Sequence, residues 1–288
     1  MVIKSYAKVN LYLEVINKRK DGYHSIKTLF QRIDLHDTII LTSLPGTQIK
    51  ILSDSRQLPL DSSNLAYRSA QILQEGCKVK RGVQIALYKR IPIGSGLAGG
   101  SSNAAAVLMG LNKLWKLNLS REKLVRFATI IGSDVAFFVH ATPFAIGEGK
   151  GERIESVKSL KRVRWWYVLV VPKLHVSTPD IYQKWDSFSS LTRPDFDVKL
   201  LILALKRKNA SRLGSFLFNS LEPVTSALYP QIKRVRSSLR NQGVHALLMS
   251  GSGPAVFGIV SSRKEAVRIS RQLASCHKNW QVFAAATI

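Results

Sequence analysis

The run Pro92-Ile93-Gly94-Ser95-Gly96-Leu97-Ala98-Gly99-Gly100-Ser101-Ser102-Asn103 passes directly into Ala104-Ala105-Ala106-Val107-Leu108-Met109-Gly110-Leu111-Asn112. Before it, Val83, Ile85, Leu87 and Ile91 fall on one face of an alternating segment, which predicts a strand. The order is therefore strand, glycine loop, small-residue helix. Gly94, Gly96, Gly99 and Gly100 leave the backbone bare where a ligand would approach it. The helix start offers unpaired N–H groups and the positive end of its dipole. Ser101 and Ser102 add hydroxyls and Asn103 an amide, which together make a phosphate cradle.

Other readings of this stretch have to be weighed. Gly94 to Gly99 matches the dinucleotide-binding pattern GxGxxG, but that fold needs a parallel βαβ unit and an acid ending the next strand. Glu122 lies near the required distance, in a segment that reads as a helix start. No Gly-Lys-Ser/Thr closes the loop, so it is not a Walker motif. No His-Arg-Asp or Asp-Phe-Gly element occurs, which argues against a protein kinase. A glycine turn without a ligand is the plain alternative.

Upstream of the loop the chain reads mostly as strands. Val9, Leu11, Leu13 and Val15 alternate with Asn10, Tyr12 and Glu14, which predicts a half-exposed strand. Further strands are expected at 30–35 and 38–44, and a helix at 64–75 with Gly76 as its stop. Ser120 is placed to cap another helix. Composition turns basic and periodicity breaks near 158–163, so the domains are expected at 1–158 and 159–288. The second half reads as a strand at 167–171, helices at 199–206, 228–241 and 264–274, and a last strand at 280–285. A hairpin is expected around Gly251-Ser252-Gly253-Pro254.

Composition narrows the class. Of 288 residues, 45% are hydrophobic, enough for a packed core. No apolar run approaches a membrane span, and the first residues lack the apolar core of a signal peptide. Cys77 and Cys276 make neither a disulfide framework nor a zinc site, and a reducing cytoplasm fits. The net charge of +25 is compatible with polyanionic partners. Yet the cations are scattered, with small clusters at Lys18–Lys20, Lys161–Arg164 and Lys206–Lys208, and no aromatic-interleaved nucleic-acid motif accompanies them. Charge alone assigns no function.

Three segments in order, Ala7-Lys8-Val9-Asn10-Leu11, the glycine loop, and Met249-Ser250-Gly251-Ser252-Gly253-Pro254-Ala255-Val256-Phe257, resemble the GHMP kinase superfamily of small-molecule kinases. The likeness runs from Ser5 to Phe257. It implies an α+β, two-domain GHMP kinase fold with the active site in the interdomain cleft. Residues 21–31, Asn64-Leu65 and Gly132-Ser133-Asp134-Val135-Ala136-Phe137-Phe138 are similar to one branch, whose acceptor is a cytidine diphosphate-linked methylerythritol. Ala136 departs from that branch, which usually has proline there. The resemblance implies phosphorylation of the acceptor's 2-hydroxyl by ATP, for isoprenoid synthesis by the non-mevalonate route. The segment Tyr23-His24 favours this branch over homoserine or mevalonate kinases.

The resemblance also carries roles. Asp134 is the implied base for the attacking hydroxyl, with Lys8 as its cationic partner. Asn10 shares a strand face with Lys8 and would orient the acceptor. Tyr23, His24, Thr178 and Tyr182 resemble the cytidine-positioning residues, where rings stack on a pyrimidine and imidazole can donate or accept. On the ATP side stand Asn64, Leu65, Lys89 and the whole loop: Pro92, Ile93, Gly94, Ser95, Gly96, Leu97, Ala98, Gly99, Gly100, Ser101 and Ser102. Ser250 to Gly253 is expected to form a second glycine turn at the cleft. Mg²⁺ is expected with ATP, with Ser102 as a hydroxyl contact and no dedicated protein ligand. His140, His175, His245 and His277 lack metal-ligand spacing. The expected partner is a small-molecule substrate, with no nucleic acid and no membrane.

Overall fold

The computed structural model describes residues 1–188, 194–207 and 210–288, so Lys208 of the third basic cluster lies outside the described residues. The first sheet is built from β1 (Val2–Lys18), β2 (His24–Leu44), β3 (Ile49–Ser53), β4 (Gly82–Tyr88), β5 (Phe144–Gly149) and β6 (Arg153–Ser156). Its strand order is β3-β4-β2-β1, and β5 pairs with both β2 and β6. Four helices, α1 (Leu65–Cys77), α2 (Gly99–Leu114), α3 (Arg121–Ile131) and α4 (Ser133–His140), share one core with β3 and β4. The second sheet, ordered β11-β7-β10-β9, uses β7 (Trp166–Pro172), β9 (Leu247–Met249), β10 (Val256–Val260) and β11 (Trp280–Ala286). Its helices are α5 (Thr178–Asp186), α6 (Val198–Lys206), α7 (Ala210–Leu213), α8 (Glu222–Leu228), α9 (Gln231–Asn241) and α10 (Arg263–Cys276). The short β8 (Phe218–Asn219) returns to the first sheet, parallel to β1. We propose the division near residue 158, between the last long strand of one sheet and the first of the other.

Local signals explain most elements. Ser120 Oγ accepts from Lys123 N at the start of α3, and Leu124, Ala128 and Ile131 form its buried stripe. The expected hairpin forms, with Met249 opposite Val256. Three expectations need correction. Gly76 lies within α1, which runs on to Cys77 and ends on Lys78 in the left-handed region at φ 52°. The two strands expected at 30–35 and 38–44 are one strand of 21 residues, β2, because β1, β4 and β5 pair with it along different stretches. β1 is not half-exposed: Ala7 through Leu13 are all buried. Val9 and Leu11 pack towards the second sheet with Leu169 and Phe257, while Lys8 and Asn10 sit under the cleft between the two halves. A bulge between Asn10 and Tyr12 reorients the strand beyond that point.

Topology also decides the dinucleotide reading. A parallel βαβ unit does exist, β3–α1–β4, but it lies before the glycine loop. After the loop the chain runs through α2, α3 and α4 and returns as β5, antiparallel to β2. Glu122 sits in the first turn of α3. No acid ends a following parallel strand, so the GxGxxG match is coincidental.

The loop is fastened by its own carbonyls. Ser95 O accepts from Ala255 N at 3.0 Å, Gly96 O from Ser250 Oγ at 3.1 Å, and Leu97 O from Lys8 N at 3.1 Å. Gly96 has φ +81°, and a Cβ there would stand 2.2 Å from Ser250 O. Gly46 has φ +68° but nothing within 4 Å. Gly46→Ala should therefore cost about 1–2 kcal/mol of left-handed strain. Gly96→Ala should cost about 2–5 kcal/mol, because the paired loops must also part. Urea titration of both variants checks this, and equal losses would show that the two loops do not depend on close backbone contact.

Candidate active site

β1 brings Lys8 and Asn10 to the floor of a cleft of about 910 Å³. Lys8 is 4% exposed, and its Nζ donates to Asn10 Oδ1 at 2.6 Å and stands 3.4 Å from Asp134 Oδ2. Asn10 Nδ2 donates to Thr28 Oγ1 at 2.8 Å, and Thr28 donates on to Tyr12 O at 2.6 Å. This chain fixes the amide so that its oxygen faces the ammonium. Asp134 occupies the first turn of α4 and keeps 31% of its side chain exposed. It is thus held by one cation and open on the cleft side. Phe30 lies beneath Lys8, whose Nζ is 5.5 Å from the ring centroid.

The glycine loop and α2 form one wall. Ala98, in the left-handed region at φ 56°, precedes the helix and offers no side-chain cap. The N–H groups of Gly99, Gly100 and Ser101 have no partner among the described residues, and all three residues line the cleft. That leaves three donors at the positive end of a 16-residue helix. Pro92, Ile93, Gly94, Ser95, Gly96 and Leu65 also line the cleft. Three expected contacts lie elsewhere. The Leu97 side chain is fully buried in the core. Asn64 uses its side chain to cap α1, accepting from Ala66 N at 2.9 Å. The Ser102 hydroxyl accepts from Ser5 Oγ at 2.7 Å.

Behind the loop lies Asp37, a residue the sequence reading missed. It is fully buried and accepts from Arg90 N at 2.7 Å, Ile91 N at 2.8 Å and Asn103 Nδ2 at 3.0 Å. Lys89 completes the set through its ammonium. Lys89 lines the cleft, but its charge is matched internally. In sequence, Asp37 falls in the break between the strands expected at 30–35 and 38–44, so nothing marked it.

At the other end, α5 supplies Thr178 and Tyr182. Tyr182 stacks on His24, with centroids 5.0 Å apart and planes at 30°. Burial raises the Tyr182 hydroxyl pKa, and the Asp134 carboxylate raises it further, so the phenol stays protonated. Thr178 Oγ1 meets Ser252 Oγ at 2.7 Å, joining α5 to the second glycine turn. Tyr23 is 59% exposed, with Lys150 Nζ 4.4 Å from its ring centroid. Lys150 and Asp186, both cleft residues, had no signal in the sequence reading. Partial burial works to raise the Asp186 carboxyl, but hydrogen bonds from His24 and Lys18 outweigh it and hold it below its ordinary range.

A cleft with an anion cradle, a cation–carboxylate pair and a distant aromatic end fits transfer between two bound molecules. Comparisons with known proteins agree. Residues 64–142 match the GHMP kinases N terminal domain and residues 201–279 the GHMP kinases C terminal model. A 4-diphosphocytidyl-2-C-methyl-D-erythritol kinase of Bacillus cytotoxicus is 43% identical over 260 residues, covering 90% of this chain and 88% of the relative. The chain belongs to the 4-diphosphocytidyl-2-C-methyl-D-erythritol kinase family of GHMP kinases. Its Caldicellulosiruptor saccharolyticus relative is 41% identical over 274 residues, covering 95% and 92% of the two chains. A crystal structure of 4-(cytidine 5'-diphospho)-2C-methyl-D-erythritol kinase superposes with a TM-score of 0.85 at 34% identity, over 99% of this chain and 98% of that one. Homoserine kinase from Cytophaga hutchinsonii, at 20% identity and TM-score 0.70, covers 100% and 94% and shares the fold.

In this kinase, Asp37→Ala should take the acceptor from the N–H groups of Arg90 and Ile91 and leave the Lys89 ammonium without its carboxylate. Breaking a buried pair from one side costs about 3–5 kcal/mol. Unfolding should shift to lower urea, and ATP affinity should fall because residues 89–91 lead straight into the loop. A variant with wild-type stability would show that Asp37 does not organise this wall.

Proposed function

We propose that this chain transfers the γ-phosphoryl group of ATP to the 2-hydroxyl of 4-diphosphocytidyl-2-C-methyl-D-erythritol, in isoprenoid synthesis by the non-mevalonate route. The observation that carries this reading is the Lys8–Asp134 pair at 3.4 Å, set between the open N–H groups of α2 and the His24–Tyr182 stack. The phosphates of ATP lie against Gly99, Gly100 and Ser101, whose N–H groups and helix dipole favour negative charge. The acceptor hydroxyl lies beside Asp134 and Asn10. Its oxygen forms the new bond to the γ-phosphorus while the bond to the β-phosphate oxygen breaks and ADP departs. Asp134 takes the hydroxyl proton. Lys8 keeps that carboxylate ionised and offsets charge on the transferring oxygens.

Magnesium brought in with the nucleotide would supply positive charge to offset that of the phosphates. The described residues do not fit a resident ion. No three His, Cys, Asp or Glu side chains converge, and the Ser102 hydroxyl is taken by Ser5. No step here is routed through the metal. Among the described residues no helix is long and apolar enough to cross a membrane, and Cys77 and Cys276 are free thiols. We place the protein in the cytoplasm with its ATP supply.

Asp134→Asn should lower turnover at least about 100-fold, within the range a general base contributes, with ATP affinity almost unchanged. Steady-state rates and nucleotide titration, with circular dichroism as the folding check, test this. Wild-type turnover would remove the role. Tyr182→Ala should lose about 1–3 kcal/mol of stacking, or roughly 5- to 150-fold in affinity for the cytidine acceptor. Homoserine and mevalonate should be poor acceptors, since neither carries a base. Equal use of mevalonate in a coupled ADP assay would overturn the substrate.

A further inference from the structure

One face of α5 surrounds a single imidazole. Tyr182, Trp185 and Asp186 stand at i, i+3 and i+4 on that helix and so share a face. Tyr182 stacks on His24, and Trp185 meets it edge-on with centroids 5.7 Å apart at 84°. Asp186 Oδ1 lies 2.6 Å from His24 Nε2, and Asp186 Oδ2 accepts from Lys18 Nζ at 2.7 Å. The His24 side chain is only 6% exposed. Asp186 thus ties together β1, β2 and α5 at the cleft.

We propose that Asp186 is a positioning residue that sets which hydrogen bond His24 offers to the base, and through it selects cytosine over uracil. This rests on the acceptor assigned under Proposed function. A carboxylate can only accept, so Nε2 must carry the proton. Asp186 Oδ2 is already taken by Lys18, which leaves Oδ1 for the Nε2–H of His24. In a neutral imidazole with Nε2–H, Nδ1 is an acceptor. Nδ1 has no protein partner among the described residues, and His24 lines the cleft. An acceptor there pairs with the exocyclic amino group of cytosine. The carbonyl oxygen that replaces it in uracil would face Nδ1 lone pair to lone pair. A site built to take a donor rejects an analogue that lacks it far more strongly than a shape-based pocket does. The Tyr182 stack and the Trp185 edge keep the ring from rotating to escape the constraint.

The test compares kcat/KM for the cytidine and uridine diphosphate-linked acceptors in wild type and in Asp186→Asn. Wild type should prefer the cytidine acceptor at least about 100-fold. Asp186→Asn, whose amide can donate to Nε2 and so allow the Nδ1–H form, should cut that ratio at least about tenfold. The loss should fall on KM for the cytidine acceptor, with KM for ATP unchanged. Independently, nitrogen-15 NMR of the full-length wild-type protein, assigned with His24→Asn, should show an unprotonated Nδ1 and a protonated Nε2. A protonated Nδ1 in the free enzyme would overturn the proposal even if the variant failed to fold. Use of neither acceptor would remove the substrate assignment and the selectivity together. Use of the cytidine acceptor with a ratio unmoved by Asp186→Asn would overturn this inference alone.

Discussion

The site depends on a division of labour within one loop. Three successive carbonyls, those of Ser95, Gly96 and Leu97, turn inward and are taken by Ala255 N, Ser250 Oγ and Lys8 N. Just beyond, the N–H groups of Gly99, Gly100 and Ser101 are left to the cleft. A buried carbonyl without a partner is costly, so the inward half pins the loop and the outward half inherits its position. Two of the three partners come from the turn between β9 and β10, in the second half of the chain. The open N–H face of the loop is therefore positioned by both halves, although its sequence belongs to the first.

The remaining site residues are arranged around that anchor by charge matching. Asp37 neutralises Lys89 behind the loop, and Asp186 neutralises Lys18 at the far end. Asp134 and Lys8 are matched at the centre, where the carboxylate stays partly exposed and the ammonium does not. In a chain with a net charge of +25, each acid placed in the cleft leaves a local balance that the overall charge would not suggest. Such placement keeps the cleft from becoming an indiscriminate trap for anions.

Reading the sequence recovered elements whose signals are local. The Ser120 cap, the strand-loop-helix order around Gly96 and the hairpin at Gly251 each depend on neighbours in the chain. What escaped depended on distant partners. The alternation of Val9, Leu11 and Leu13 reads as a strand with one wet face. A second sheet covers one side and the cleft the other, and no local pattern records that. β2 looked like two strands because Asp34, His36 and Asp37 interrupt the apolar pattern, yet Asp37 is satisfied inside the protein. β8 has two residues, too few for any periodicity. Among site residues, Lys8, Asp134 and the loop stand in recognisable motifs. Asp37 and Asp186 are single carboxylates whose meaning lies wholly in what faces them.

Lys8 fastens two walls of the cleft from its two ends. Its main-chain N–H holds Leu97 O, and so the glycine loop, while its ammonium holds the Asp134 carboxylate. The offset between the glycine loop and the Asp134 carboxylate is thereby referred to one residue, as two jaws of a caliper are referred to one beam. Its calibration is the four-carbon stem, which is buried and carries its ammonium over the Phe30 ring. A guanidinium at this position would preserve the charge and change the setting, so the demand on residue 8 is for a length as much as for a sign.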